Sequence, residues 1–266
     1  GFQGIFFDFL SILISFKKVD TILLLGVQGI PLLLPLRLFK KIKIISNVGG
    51  VEWERPKFSF FAKYYLKFCF NLSMNYSQTV ILDNKYYKKF LPDKYKSNVM
   101  IIPYGGIIDK SLKITRKIEL KYPFIINEYF LSISRALEDN YLDKICDVFS
   151  KTNLNLVLIS NFYSSDYGTK VFNKYNKSSN LTLINGLYNK AELDLIRRKC
   201  KAYIHTHSLC GTAPSLVEMI VANKPILSLD IPQNRFTLNN TGYFFSDFSE
   251  IITKINATNN FSEMKP

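Results

Sequence analysis

The sequence predicts an α/β protein with two parallel-sheet domains, and three observations predict it. Short apolar runs, among them residues 20–26, 43–47 and 154–160, recur without polar alternation, as strands buried on both faces do. Stretches with helical spacing lie between them, so strand and helix alternate throughout. An irregular stretch of mixed charge, 107–122, separates two such series and sets the expected domains at 1–113 and 114–266.

Composition agrees with a folded chain. Of 266 residues, 47% are hydrophobic and 21% charged, which excludes a disordered protein. The net charge of +14 fits a nucleic acid, an anionic membrane surface or a phosphorylated substrate, or else a lysine-rich solubilising surface. No helix-turn-helix, zinc-finger or aromatic RNA-binding signature is present, so nucleic acid is set aside. Cys69, Cys146, Cys200 and Cys210 lack CxxC spacing, which argues against a zinc site or disulfide framework and fits a reducing cytoplasm.

Residues 1–16 read as a helix carrying Asp8, and 20–26 as a strand ending in glycine. The run 21–39 is apolar enough to suggest a membrane span, but Gly26, Gln28, Gly29, Pro31 and Pro35 interrupt it and Arg37 closes it. After the strand at 43–47 comes a loop with Gly49, Gly50, Glu52, Trp53 and Arg55. Adjacent glycines there permit backbone shapes closed to other residues, and such strand-end loops line clefts. Trp53 between charged neighbours suits stacking on a sugar; equally, it anchors the loop. Residues 57–76 read as a helix with Lys57, Lys63 and Lys67 among aromatics, fitted either to an anionic bilayer or to a core. A strand at 79–82, a Lys/Tyr-rich helix and a strand at 99–102 complete the first domain.

The second domain opens with a strand at 129–134, ending at Arg135. Helix 141–151, strand 154–160, strand 181–184, helix 190–199 and strand 201–206 follow. A strand at 225–229 exits through a loop carrying Asn234 and Arg235, and the last strand is 243–245.

The stretch 203–218 carries the chemistry. Gly211, Thr212, Pro214 and Ser215 stand where a helix begins, with Ser or Thr as expected cap and Pro in the first turn. Unpaired N–H groups and the positive helix end suit a phosphate there. Glu218, one turn further on, is placed to reach hydroxyls on whatever the phosphate carries. An ordinary capped helix with a solvated Glu is the bland alternative. Arg135 and Arg235, on other strand exits, offer paired donors to a diphosphate. His205 and His207 alternate along a strand, so only one is expected to face a cleft. His207 then donates to a hydroxyl or phosphate, or is structural. A third ligand for a His-based zinc site is not apparent, and no metal is expected. GxGxxG, Walker, Asp-x-Asp and GxSxG patterns are absent.

Four segments together resemble the GT-B glycosyltransferases of family 4, in a branch of bacterial rhamnosyltransferases. They are 47–55; Ser134-Arg135 with Glu138-Asp139-Asn140; 203–218, whose Gly-Thr-x-Pro-Ser-Leu-Val-Glu is the most specific; and 230–235. The resemblance implies two Rossmann-like domains facing a cleft and a retaining, metal-independent transfer. The donor is a nucleotide-sugar, dTDP-rhamnose or another, and no cofactor is implied. The acceptor is lipid-linked or a nascent cell-surface polysaccharide, at the cytoplasmic face of the cell membrane with peripheral contact to anionic lipid. It further implies that Glu218 and Arg135 serve catalysis by binding ribose and diphosphate. His207, Gly211, Thr212, Ser215, Asn234 and Arg235 complete the donor site, and Gly50, Glu52, Trp53 and Arg55 the acceptor side.

This chain departs from the family pattern in three ways. Cys210 stands where many members have a glutamate and this branch a glycine. Gly49 stands where the branch has Asp. The first strand and glycine loop of the N-terminal domain are expected to be missing, so that the chain reads as a fragment. Two alternatives remain open: a nucleotide-sugar epimerase of the same fold, and a degenerate non-catalytic binding module.

Overall fold

The computed structural model describes residues 2–55, 58–91 and 93–257; Pro56 and Lys57 of the expected loop and helix lie outside them. The chain forms two compact units, one up to Pro103 and one from Tyr104 onward.

The first unit carries a parallel sheet in the order β1-β2-β3-β4, formed by Thr21–Leu25, Lys43–Asn47, Thr79–Leu82 and Val99–Ile101. The helices are α1 (Phe2–Phe16), α2 (Ile30–Leu33) and α3 (Phe60–Tyr76). The apolar run after β1 breaks as its glycines and prolines require: α2 is one turn, and a 3-10 turn follows at Pro35–Leu38. Among the described residues no helix is long and apolar enough to cross a membrane. The expected Lys/Tyr-rich helix is instead two 3-10 turns, Lys85–Phe90 and Asp93–Asn98. Asn84 explains the first, because its side chain accepts from the Tyr86 amide at 3.0 Å and holds the chain in a tight turn. Ser59 caps α3, its hydroxyl accepting from the Ala62 amide at 3.4 Å, so the helix begins three residues later than expected. Ile30, Leu33, Ile44, Cys69 and Leu82 form the buried centre. The expectation of strands covered on both faces fails at β1, where Leu25 is 78% exposed.

The second unit is a six-stranded parallel sheet in the order β10-β9-β8-β5-β6-β7. Its strands are β5 (Phe130–Ile133), β6 (Leu156–Ser160), β7 (Leu181–Asn185), β8 (Ala202–His205), β9 (Ile226–Leu229) and β10 (Tyr243–Phe245). Helix α4 (Arg116–Lys121) precedes them, and between and after them run α5 (Leu142–Ser150), α6 (Asp166–Tyr175), α7 (Lys190–Lys199), α8 (Pro214–Val221), α9 (Pro232–Thr237) and α10 (Glu250–Ala257). Strands β6, β8 and β9 are buried along their whole length, as their unbroken apolar runs predict. Two apolar layers lie on the sheet, one around Phe149, Phe162 and Phe245, the other around Tyr129, Ile196 and Met219.

The boundary lies ten residues earlier than the sequence suggests, at Pro103 rather than after residue 113. The reason is specific bonding of the supposed linker to α7. The Asp109 amide donates to Asp194 Oδ2 at 2.8 Å, Lys190 Nζ to the Ile107 carbonyl at 2.6 Å, and Arg198 Nη2 to the Leu112 carbonyl at 2.6 Å.

Candidate functional site

The strand order of the second unit fixes where a ligand would sit. Chain order reverses between β5 and β8, and loops leaving the carboxyl ends of such neighbours diverge to opposite faces and open a crevice. Those two loops contain Arg135 and residues 206–213.

The loops are stitched together. Thr206 Oγ1 donates to the Asn140 carbonyl at 2.5 Å, and Ser208 donates to the Asp139 carbonyl from both its amide (3.0 Å) and its hydroxyl (2.8 Å). The Arg135 carbonyl accepts from the Leu137 amide and from Asn140 Nδ2, each at 2.8 Å. Its guanidinium is exposed and forms no ion pair among the described residues. Asn234 on α9 ties in the loop after β9: its Nδ2 donates to the carbonyls of Leu229 (3.0 Å) and His207 (3.3 Å), and its Oδ1 accepts from Cys210 Sγ at 3.6 Å. The exits of β5, β8 and β9 thus form one hydrogen-bonded platform.

The start of α8 differs from the expectation. Its N-cap is Ala213, with no side-chain cap, and Pro214 occupies the first turn. Thr212 is buried, and the Ser215 hydroxyl is turned inward beside Tyr203. The Leu216 and Val217 amides both bond back to the Ala213 carbonyl. The amides of Gly211, Ala213 and Ser215 make no hydrogen bond to the described residues, so three donors remain unspent at the positive helix end.

Glu218 is not a solvated side chain. Arg197 Nη2 of α7 donates to Glu218 Oε2, leaving Oε1 without a hydrogen bond to the described residues. Arg197 is itself buried and donates from Nη1 to Asp194 Oδ1 at 2.6 Å; Asp194 also takes Lys190 Nζ at 2.7 Å. Burial alone would raise the Asp194 carboxyl, but bonds from Lys190, the Asp109 amide and Arg197 outweigh it and leave Asp194 below its ordinary value. The result is a fixed relay of charge, Lys190–Asp194–Arg197–Glu218. Sequence reading missed it, because charges on a helix such as α7 read as surface. The available signal was Asp194 and Arg197 three residues apart on one face.

Two residues expected on the donor side have partners of their own, and the two histidines do not alternate. Arg235 is taken by Asp230 in a two-pronged pair, with Nη2 to Oδ2 at 2.7 Å, and its guanidinium stacks 4.3 Å from the Phe244 ring. Asn234 is fully buried and spends its amide on loop carbonyls. His205 and His207 do not point apart: β8 ends at His205, alternation stops there, and the two rings lie 4.3 Å apart. Burial, then the His207 ring, hold His205 well below its ordinary value of 6.5 against an opposing pull from Asn234, so it is neutral at physiological pH.

In the first unit, Trp53 anchors the loop. Its ring meets Phe70 edge-on at 4.8 Å, and Glu52 and Arg55 pair with each other at 3.2 Å. Gly50, at φ +133, has the Tyr87 hydroxyl 2.8 Å from where a Cβ would stand; Gly49, at φ +62, faces open space. Gly49 lies in the left-handed region, which Gly enters freely and Asp only at some cost.

A family model described as a domain of unknown function, DUF1972, matches residues 37–107. No curated relative matches the chain by sequence. Solved structures match across nearly its whole length. Anabaena HepE in complex with UDP-glucose aligns at 12% identity and TM-score 0.74, covering 97% of this chain and 73% of HepE. Sucrose-phosphate synthase from Thermosynechococcus elongatus aligns at 10% identity and TM-score 0.79, covering 99% and 71%. The α,α-trehalose-phosphate synthase (UDP-forming) from Burkholderia vietnamiensis aligns at 10% and 0.72, covering 97% and 71%. The fold is GT-B. At these identities the likeness is one of fold: two parallel-sheet α/β units of the kind GT-B glycosyltransferases share.

Proposed function

We propose that this chain is a glycosyltransferase that moves a sugar, rhamnose, from a nucleotide-sugar donor to a lipid-linked or nascent polysaccharide acceptor. The carrying observation is the conjunction at α8. Unspent amides of Gly211, Ala213 and Ser215 are followed one turn later by Glu218, with one carboxylate oxygen held and the other available. Those amides and the exposed Arg135 guanidinium take the diphosphate, whose charge grows as the sugar departs. Oε1 of Glu218 accepts from the ribose hydroxyls, and His207 donates to a phosphate oxygen. Asn234 holds the platform, and Arg235, paired with Asp230, stands at its edge. HepE, which shares the fold, was crystallised with UDP-glucose.

The transfer we propose is retaining and needs no catalytic metal, because Arg135 and the helix end supply positive charge where the leaving diphosphate forms. A departing phosphate oxygen takes the acceptor's proton, so no side-chain base is required. The acceptor's lipid accounts for the first unit's surface. Phe60 (77% exposed), Phe61 (83%) and Tyr64 stand bare on α3 beside Lys63 and Lys67, and Phe6, Phe7 and Ile14 on α1 are also exposed. Bare aromatics among lysines suit an anionic bilayer, here the inner face of the cell membrane.

The test is a panel of nucleotide sugars, UDP-glucose and dTDP-rhamnose among them, incubated with the full chain and read by mass spectrometry for donor cleavage. Release of the nucleoside diphosphate, lost in Arg135→Ala, is expected. Saturable binding with no turnover on any donor or acceptor would replace the enzyme with a binding module.

A further inference from the structure

We propose that His205, His207 and Cys210 form a binding site for one zinc ion at the base of the loop that leads into α8. One ligand atom from each residue can be chosen so that all three lie within 4.8 Å of one another. His205 is fully buried, and its Nε2 has no hydrogen-bond partner among the described residues. A buried imidazole nitrogen with nothing to bond is costly unless something binds it. Cys210 is buried and His207 half-buried, which leaves a way in from the His207 side.

The donor set decides the ion. Two imidazoles and one thiolate are borderline-to-soft ligands, matched to zinc and poorly suited to magnesium or calcium. With Zn–N near ~2.0 Å and Zn–S near ~2.3 Å, tetrahedral ligands stand roughly 3.5 Å apart, so the three atoms must close by about an ångström. Side-chain rotation supplies that. Three protein ligands leave the fourth position to water or an anion. As the S–Zn bond forms, the Cys210 thiol gives its proton to solvent and its contact with Asn234 Oδ1 is broken.

The spacing His-x-His-x-x-Cys was legible in the sequence, but alternation along a strand hid it, because β8 ends at His205. The ion would fix the loop that presents the Gly211, Ala213 and Ser215 amides and would take the His207 imidazole from a phosphate. That consequence rests on the donor reading above; the metal site does not.

The test uses the full chain, stripped with a chelator and kept reduced, with no nucleotide present. Zinc titration is expected to give one ion per chain. Cobalt in its place is expected to give a thiolate-to-metal charge-transfer band. Cys210→Ser should abolish the band and weaken zinc binding at least tenfold, and His205→Gln should weaken it similarly, with circular dichroism showing both variants folded. Cys69→Ser, changed in the other unit, should leave both readings intact. Equal zinc affinity in the unsubstituted chain and in folded Cys210→Ser, or a cobalt spectrum without the thiolate band, overturns the site. In a second arm, saturating zinc should raise the apparent Kd for UDP-glucose. If zinc binds and that Kd does not move, the competition for His207 is overturned.

Discussion

The two units follow one plan, a parallel sheet flanked by helices, yet they treat charge and apolar surface in opposite ways. In the second unit three strands are buried end to end, and Asp194 and Arg197 lie buried in a relay that ends on Glu218. In the first unit α3 buries a stripe of Leu66, Cys69, Phe70 and Ser73 and leaves Phe60, Phe61 and Tyr64 bare. A buried ion pair brings little net stability, because desolvation offsets the attraction; what it secures is position. Bare apolar patches likewise oppose solubility and mark surfaces that meet something. One unit therefore gives up stability to hold a carboxylate still, and the other gives up solubility to keep a surface available.

The largest effect should come from Arg197→Ala. It leaves Asp194 buried with Lys190 and one amide, and loss of one partner from a buried pair costs about 3–5 kcal/mol. Denaturant unfolding measures it, and an unchanged midpoint would break the contrast between the units. Acid should act on the same relay. Asp194 sits below its ordinary value of 3.8, so its contribution to stability is present above that pH and is lost as pH falls through the lower folded value. Melting scans in acid should show that loss eased in Asp194→Asn, relative to its own neutral-pH stability.

A smaller effect is expected in the first unit. Gly50→Ala forces a side chain into φ +133 and against Tyr87, at about 1–3 kcal/mol, whereas Gly49→Asp meets a positive φ but no neighbouring atom and should lower the melting temperature less. The smallest change in stability belongs to Phe60→Ser with Phe61→Ser, each within about 0.5 kcal/mol because neither is buried. Binding to anionic vesicles should nevertheless fall several-fold; unchanged sedimentation with vesicles would show that the bare face of α3 meets something other than lipid.

The sheets were legible because unbroken apolar runs have few other uses: β6, β8 and β9 lie within two residues of where periodicity puts them. The start of α8 was legible from Gly211, Pro214 and Ser215, though its capping was not, since the chain turns at Ala213 and Ser215 faces inward. What stayed hidden depends on partners distant in sequence. Nothing local to Arg197 says that Glu218 is its partner, and nothing local to Arg235 distinguishes a phosphate ligand from a partner of Asp230. The linker misled for the same reason, because residues 107–114 look irregular until α7 supplies their bonds.

The central claim is that the strand-exit platform of the second unit holds a nucleotide-sugar through α8 and Glu218. Calorimetric titration of UDP-glucose and dTDP-rhamnose into the full chain and into Glu218→Ala tests it most directly. The account predicts one saturable site for at least one donor. It also predicts roughly 10–100-fold weaker binding in the variant, the loss expected when hydrogen bonds to a charged group are removed. Equal affinity in both proteins, or no binding of either nucleotide-sugar to the unsubstituted chain, would contradict it.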